Sequence, residues 1–400
     1  MNHMNPKTVI GLGIATVAAI AIAAAITSAR KPASETTAPA VDTYALPELR
    51  DKLADVKSVT VTGAARKVIV TVEKNDKGWT VKERGGYAAD VGKLREYLNK
   101  LADAKLVEAK TSSDKRYDDL GVGDVDSDQA KGMLVAIDGL GKPAQLIVGS
   151  IATRGDATYV RRAGEKQSWL ARGALVPDKN TSSWIEKSIA DVTATRIREV
   201  TLTKPDGKTL RVFKDGAGDA NFKVADVPKG RELSSEFAAN SIGTTLAGLA
   251  LEDIAQAGEA SAPSDGKVNK ARFVTFDGMA VEIDAWKAGD KHYAKIAASL
   301  DDAAAQAHIA AGQAKAKAEF DAQPAPADGA AKPAPPAAVA DPAKDKQQRL
   351  DALNAEVAAI KHHADGWTIV LPQYKFTNID KSVDDLLKPL DEKKPDAKKK

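Results

Sequence analysis

The residues after position 194 repeat, in order, the hydrophobic pattern found after position 55, and this repetition limits the possible folds more than any other feature. Val56-Lys57-Ser58-Val59-Thr60-Val61-Thr62 is echoed by Ile197-Arg198-Glu199-Val200-Thr201-Leu202-Thr203. Apolar β-branched residues at every second position predict strands, because alternate side chains of a strand share a face. Trp79-Thr80-Val81 is answered by Phe222-Lys223-Val224, and Leu134 to Gly139 by Phe273 to Gly278. Thr158-Tyr159 is answered by His292-Tyr293, and Ser168-Trp169-Leu170 by Gly366-Trp367-Thr368-Ile369. Further strands are expected at Val68 to Val72, Met133 to Ile137 and Gln145 to Val148. Asp90 caps a predicted helix with Val91, Leu94, Leu98 and Leu101 at helical spacing, ahead of Val107-Glu108. The second copy predicts its helix around Ser235 to Leu249, ahead of Leu251-Glu252, and a short helix is expected over Ser182 to Asp191. The pattern predicts an α+β fold of two tandem repeats, each an antiparallel sheet plus a helix, at 51–193 and 194–390. A length of 400 residues suits two such units, since one domain takes roughly 100–200.

The copies differ at one connection. Tyr159-Val160-Arg161 reaches Trp169 through a loop of hairpin length, whereas Ile296 reaches Trp367 through an insertion at about 299–364. That insertion reads as an Ala-rich helix from Asp301 to Asp321, a Pro/Ala coil from Gln323 to Pro342, and a helix from Lys344 to His363. Leu350, Leu353, Val357 and Ile360 give the last helix a narrow apolar seam. Packing of that seam against Ile309 and Phe320 is expected, because two heptads are too few to demand a partner helix.

Val9 to Ile26 runs for 18 residues without a charge, within the ~17–25 needed to span a bilayer as a helix. It is read as an N-terminal transmembrane anchor at 1–31, followed by a flexible Pro-, Ala- and Thr-rich linker at 32–50. A cleaved signal peptide is the competing reading, with Thr27-Ser28-Ala29 as the small residues before a cut. Apolar signal regions run only about 7–15 residues, which favours the anchor. Lys7 on one side and Arg30-Lys31 on the other leave orientation open. Residues 391–400 form a basic tail expected to be solvated.

Chemistry is harder to find. The absence of cysteine excludes disulfides, zinc–thiolate sites and a cysteine nucleophile. With 58 basic against 55 acidic residues there is no net field for nucleic acid. Asp124-Val125-Asp126-Ser127-Asp128 starts like a calcium loop, but Gln129 and Val135 stand where that loop needs its Gly and bidentate Glu. His362 and His363 are adjacent, so on a helix they point about 100° apart and do not readily share an ion. The five tryptophans, Trp79, Trp169, Trp184, Trp286 and Trp367, lie in or beside strands, where packing of a sheet face is the usual role. No catalytic, cofactor-binding or metal residue is predicted. Tyr117, Leu120, Tyr159 and Trp169 are expected to line a shared surface and form the candidate interface.

The ordered set Trp79-Thr80-Val81, Gly86-Tyr87-Ala88-Ala89-Asp90, Val107-Glu108-Ala109-Lys110-Thr111, Tyr117-Asp118-Asp119-Leu120-Gly121-Val122, Leu146-Ile147-Val148-Gly149, Thr158-Tyr159-Val160-Arg161 and Ser168-Trp169-Leu170-Ala171 carries a family resemblance. It resembles the bacterial family called domain of unknown function 4340, over about Trp79 to Trp184 and more loosely in the second copy. The long insertion departs from that family's compact pattern. The resemblance implies a single-anchor envelope protein encoded beside gliding-motility-type ABC transporter components, and it supplies no activity or cofactor. The expected function is therefore a non-catalytic accessory or scaffold subunit of an ABC-type transporter, with a permease as partner. The expected location is a bacterial inner membrane, crossed once, with the bulk in the periplasm. The alternative is an envelope hydrolase of a surface polymer, which needs two carboxylates about 5–10 Å apart in a cleft.

Overall fold

The computed structural model describes residues 43–153, 156–256, 258–264, 266–323 and 334–389. It is an α+β structure with large antiparallel sheets. The first strands are β1 (Ser58–Thr62), β2 (Val68–Asn75), β3 (Gly78–Val81), β4 (Tyr87–Ala88) and β5 (Leu106–Ala109). They are followed by β6 (Met133–Asp138), β7 (Ala144–Ile151), β8 (Ala157–Arg162), β9 (Ser168–Arg172) and β10 (Ser188–Ala190). Next come β11 (Ile197–Thr203), β12 (Thr209–Phe213), β13 (Lys223–Val224), β14 (Leu249–Ala250) and β15 (Asp253–Ile254). The last four are β16 (Asn269–Thr275), β17 (Met279–Ala288), β18 (Lys291–Leu300) and β19 (Ile369–Leu371). The helices are α1 (Val91–Ala102), α2 (Tyr117–Leu120), α3 (Asn240–Gly243), α4 (Asp302–Asp321), α5 (Ala337–Ala340), α6 (Pro342–Ala364) and α7 (Gln373–Ile379).

Spatial proximity groups the backbone into two units, one of residues up to 68 with 95–177, the other of 69–94 with those from 178 onward. In the first unit the strands lie in the order β1-β6-β7-β8-β9-β5, every pair antiparallel. Alternation sets its core: Val59, Val61, Val135, Ile137, Leu146, Val148 and Val160 are buried from one face. In the second unit β2, β3 and β4 form an antiparallel ladder. Its larger sheet has eight strands in the order β13-β12-β11-β16-β17-β18-β19-β15. The stretch β11-β16-β17-β18-β19-β15 has, strand for strand, the order of the first unit's sheet.

Local chemistry explains the helices. Asp90 Oδ1 accepts from the Lys93 amide at 2.8 Å and starts α1. Leu94, Leu98 and Leu101 are buried as their spacing predicts, but Val91 is 39% exposed and belongs to no core. Asp301 and Asp341 cap α4 and α6 by accepting from the amides of Ala304 and Lys344. Leu353, Val357 and Ile360 on α6 are buried and Leu350 half-buried, while on α4 Ile309 is buried and Phe320 half-buried. Gln313 of α4 donates to Pro342 O and Asp345 at the start of α6, which fastens the two helices together.

Of two expected helices, one is replaced by other structure and one is much shorter than its predicted range. Over 182–191 the chain makes a tight turn at Thr181–Trp184 and then the strand β10, which pairs with β14. Ile185 and Ile189 are both buried, and a spacing of four returns to the same face in a helix and in a strand alike, so the pattern was ambiguous. Pairing with Leu249 and Ala250 decided it. Around 235–249 only Asn240–Gly243 is α-helical. Asn240 is turned to the Phe222 amide, and the Thr245 hydroxyl bonds back to Ile242 O. Gly243 lies flat on the Phe222 ring, where a Cβ would sit 2.1 Å from Cε2. The following residues then leave for β14. The ammonium of Lys375, on α7, holds that departure by donating to Thr245 O and Ala247 O at 2.7 and 2.6 Å.

No described helix is long and apolar enough to cross a membrane. The expected anchor at Val9 to Ile26 and the basic tail at 391–400 lie outside the described residues, as do residues 324–333 of the Pro/Ala coil.

Candidate functional site

The four residues expected to share a surface divide between two faces. Tyr117, at the start of α2, packs with Val122 and Ile147, and Leu120, Leu134 and Tyr159 close around that cluster. Tyr159 sits opposite Leu170 across the β8–β9 ladder, whereas Trp169 sits opposite Val160. Paired residues share a face and neighbours in sequence alternate, so Trp169 points to the side away from Tyr159. Three of the four therefore come together, and Trp169 does not. Beneath the three, Arg161 is 3% exposed, with its guanidinium 4.5 Å over the Tyr117 ring. It donates to Val122 O, Glu165 O and the Asp124 carboxylate. Tyr117, Leu120 and Arg161 thus fix the loop after α2 to the sheet, and a recess of only about 110 Å³ remains beside Leu120.

Glycines in the same region let backbone meet backbone. Gly121 ends α2 with a φ of +69°, and a Cβ on Gly149 would stand 2.3 Å from Leu120 O. The Leu120-Gly121-Val122 and Val148-Gly149 pieces of the family resemblance are therefore packing devices.

A cavity of about 440 Å³ in the second unit forms around Trp367. Arg84 and Gly85, in the turn between β3 and β4, line one side. Ala255, Gln256 and Ser261 follow β15, and Gly366, Trp367 and Thr368 connect α6 to β19. Tyr87 is buried and meets the Trp367 ring edge-on, centroids 5.1 Å apart at 87°, while its hydroxyl donates to His363 O at 3.0 Å. Burial raises the Tyr87 pKa, and the nearby Glu186 charge adds to that, so the phenol stays protonated. The Gly85 backbone rests against the indole, placing a Cβ there at 3.4 Å from Trp367 Cζ3. Behind the wall, Ala255 and Ala260 pack on Val268, Trp286, Tyr293 and Val370. Arg84 is engaged by Asp253 through two bonds, of 2.6 and 3.0 Å. No carboxylate is among the described lining residues.

The sequence pattern places Trp367 with the other tryptophans as sheet packing. Trp184 and Trp286 fit that role at 1% and 3% exposure, whereas Trp367 is half-buried and opens to a cavity. The one local signal was Gly366, which ends α6 and frees the next residue from the helix.

Carboxylates do approach one another in a second recess of about 290 Å³ beside the insertion. There Arg196 donates to Asp277 at 2.9 Å and to both oxygens of Glu356 at 2.9 and 3.0 Å. Burial opposes the charge on Arg196, but its bonds to Glu356 and Asp277 outweigh this and its pKa rises. Both acids are thus engaged as acceptors to one permanent cation. In the acidic run, Asp124 pairs with Arg161 and Asp126 with Arg66, and no metal-holding group of His, Asp and Glu occurs among the described residues.

His362 is exposed and His363 half-buried, with rings 5.1 Å apart. His363 Nδ1 is buried and has no partner among the described residues. Burial first, then His362, lowers the His363 pKa below its usual 6.5, with Glu186 pulling the other way. Below pH 6.5 the unfolded chain takes up a proton that the folded ring still refuses, so stability falls as the pH drops through that window. Urea midpoints at pH ~7 and ~5.5 should converge in His363→Gln, and an unaltered difference would refute this.

Residues 79–270 match the family model described as "Domain of unknown function (DUF4340)". No curated protein and no solved structure matches the chain.

Proposed function

We propose, from the membership of residues 79–270 in the DUF4340 family, that this chain is a non-catalytic, membrane-anchored scaffold subunit serving an ABC-type transporter. The observation that carries the reading is the recurrence of one strand order, β1-β6-β7-β8-β9-β5, in β11-β16-β17-β18-β19-β15. That recurrence supports an internal duplication, with the helices α4 to α6 inserted between β18 and β19 of the second copy. A duplicated sheet offers two similar faces to a partner, and the 18 uncharged residues from Val9 to Ile26 supply a tether of spanning length. The body then lies in the periplasm against a permease. The rival reading, a hydrolase working through paired carboxylates, draws no support from Asp277 and Glu356, since both bind Arg196. Crosslinking of the full chain in native membranes, followed by identification of its neighbours, tests the proposal. Recovery of a transporter permease is the expected result; a neighbour set without membrane proteins overturns it.

A further inference from the structure

We infer that the cavity around Trp367 binds an uncharged saccharide, with one sugar ring stacked on the indole. The inference stands apart from the scaffold reading and draws on different residues. A volume of about 440 Å³ falls in the roughly 300–1,000 Å³ typical of small-molecule sites. What selects the ligand is the chemistry of the wall. Trp367 supplies the only large apolar side chain among the described lining residues, and the edge contact with Tyr87 together with the Gly85 backbone holds it in place. A rigid aromatic platform loses little entropy when a ligand lies on it.

Besides Arg84, the described lining residues with polar side chains are Gln256, Ser261 and Thr368, an amide and two hydroxyls. None of these three side chains hydrogen-bonds another described residue. An amide and two hydroxyls both donate and accept, which suits a ligand whose own edge is made of hydroxyls. The charge balance narrows the class further. Among the described lining residues the one charged group, the Arg84 guanidinium, already serves Asp253 bidentately, and no carboxylate awaits a cation. A phosphate or carboxylate ligand would have to displace Asp253, and an ammonium would find no counter-charge. An acyl chain could lie on the indole, Ala255 and Ala260, but it would leave the Gln256, Ser261 and Thr368 side chains without hydrogen-bond partners. A sugar ring meets both demands, with an apolar C–H face for the indole and hydroxyls around its edge.

The test is ligand-observed saturation-transfer NMR on the whole chain, with glucose, galactose, mannose and N-acetylglucosamine at about 10 mM, enough to populate a site with a Kd near ~1 mM. Transfer to at least one of them is expected, strongest at the protons of one ring face, and glucuronate and inorganic phosphate should give less. Trp367→Ala should weaken binding about tenfold, near the upper end for a lost aromatic stack. Because Trp367 also touches Tyr87, the exposed Gln256→Ala provides a second variant that leaves the core alone, with a loss of about threefold or more expected from one missing hydrogen bond. Tyr374→Ala, an exposed aromatic on α7, should change nothing. The inference fails if none of the four sugars shows transfer, if glucuronate or phosphate binds better, or if Gln256→Ala binds as tightly as the parent.

Discussion

Truncating Trp184 to alanine should destabilise the second unit by about 3–5 kcal/mol, the range for removing a buried large aromatic. Trp184 is the largest of the fully buried side chains, at 1% exposure. Its indole N–H donates to Asp178 O at 3.1 Å, its carbonyl accepts from the Asp90 amide at 2.8 Å, and Lys93 Nζ lies 5.2 Å above the ring. A cavity would therefore open beside the capped start of α1 and unseat a polar network as well. In that network Lys93 bonds Asp178 at 2.9 Å. Burial would raise the Asp178 pKa, but hydrogen bonds from Lys93, Ser183 and the Asn180 backbone win and hold it at about 2. Its folded value lies below the usual 3.8, so its contribution is complete above pH 3.8 and is lost as the pH falls through about 2. Urea unfolding at neutral pH, followed by circular dichroism, measures the Trp184→Ala loss, and a change under ~1 kcal/mol would contradict the packing described.

Gly149→Val should cost about 3 kcal/mol, the upper end for overpacking, because the obstacles are mainly backbone. A Cβ there would meet Leu120 O at 2.3 Å, Gly121 O at 2.9 Å and Val122 Cγ1 at 2.8 Å. The loop has little room to retreat. Val122 N is bound to Tyr117 O, Arg161 grips Val122 O, and Gly132 is packed so closely on Gly121 O that its own Cβ would come within 2.1 Å. Hydrogen exchange should therefore quicken over residues 117–123, in addition to a lower urea midpoint. Gly216→Ala, in open space at an ordinary φ, is the control and should move stability by no more than ~0.5 kcal/mol. Undisturbed exchange at 117–123 in Gly149→Val would mean that the loop moves freely.

The elements legible from sequence were those whose signal is local. Val59 and Val61, or Val200 and Leu202, alternate with polar neighbours and lie in strands with one buried face. Asp90 and Asp301 open helices because a carboxylate three residues ahead of an unpaired amide stabilises the first turn wherever it occurs. The repeated order of such signals carried enough information to anticipate an α+β structure. Where two periods coincide, as at Ile185 and Ile189, local rules gave the wrong element, and where Asn240 turns to the Phe222 amide and Thr245 back to Ile242 O they gave a helix longer than the four residues that form.

What lay beyond the sequence was which distant residues meet. Alternation assigns Tyr159 and Trp169 each to a face of its own strand, but only the pairing of Val160 with Trp169 shows that the two face opposite ways. The cavity at Trp367 draws its wall from Arg84, Gln256, Ser261 and Thr368, residues from three separate stretches of chain. None of them carries a local mark of the others, because periodicity records how a segment meets water and core, while a binding site depends on side chains brought together by the folding of remote segments.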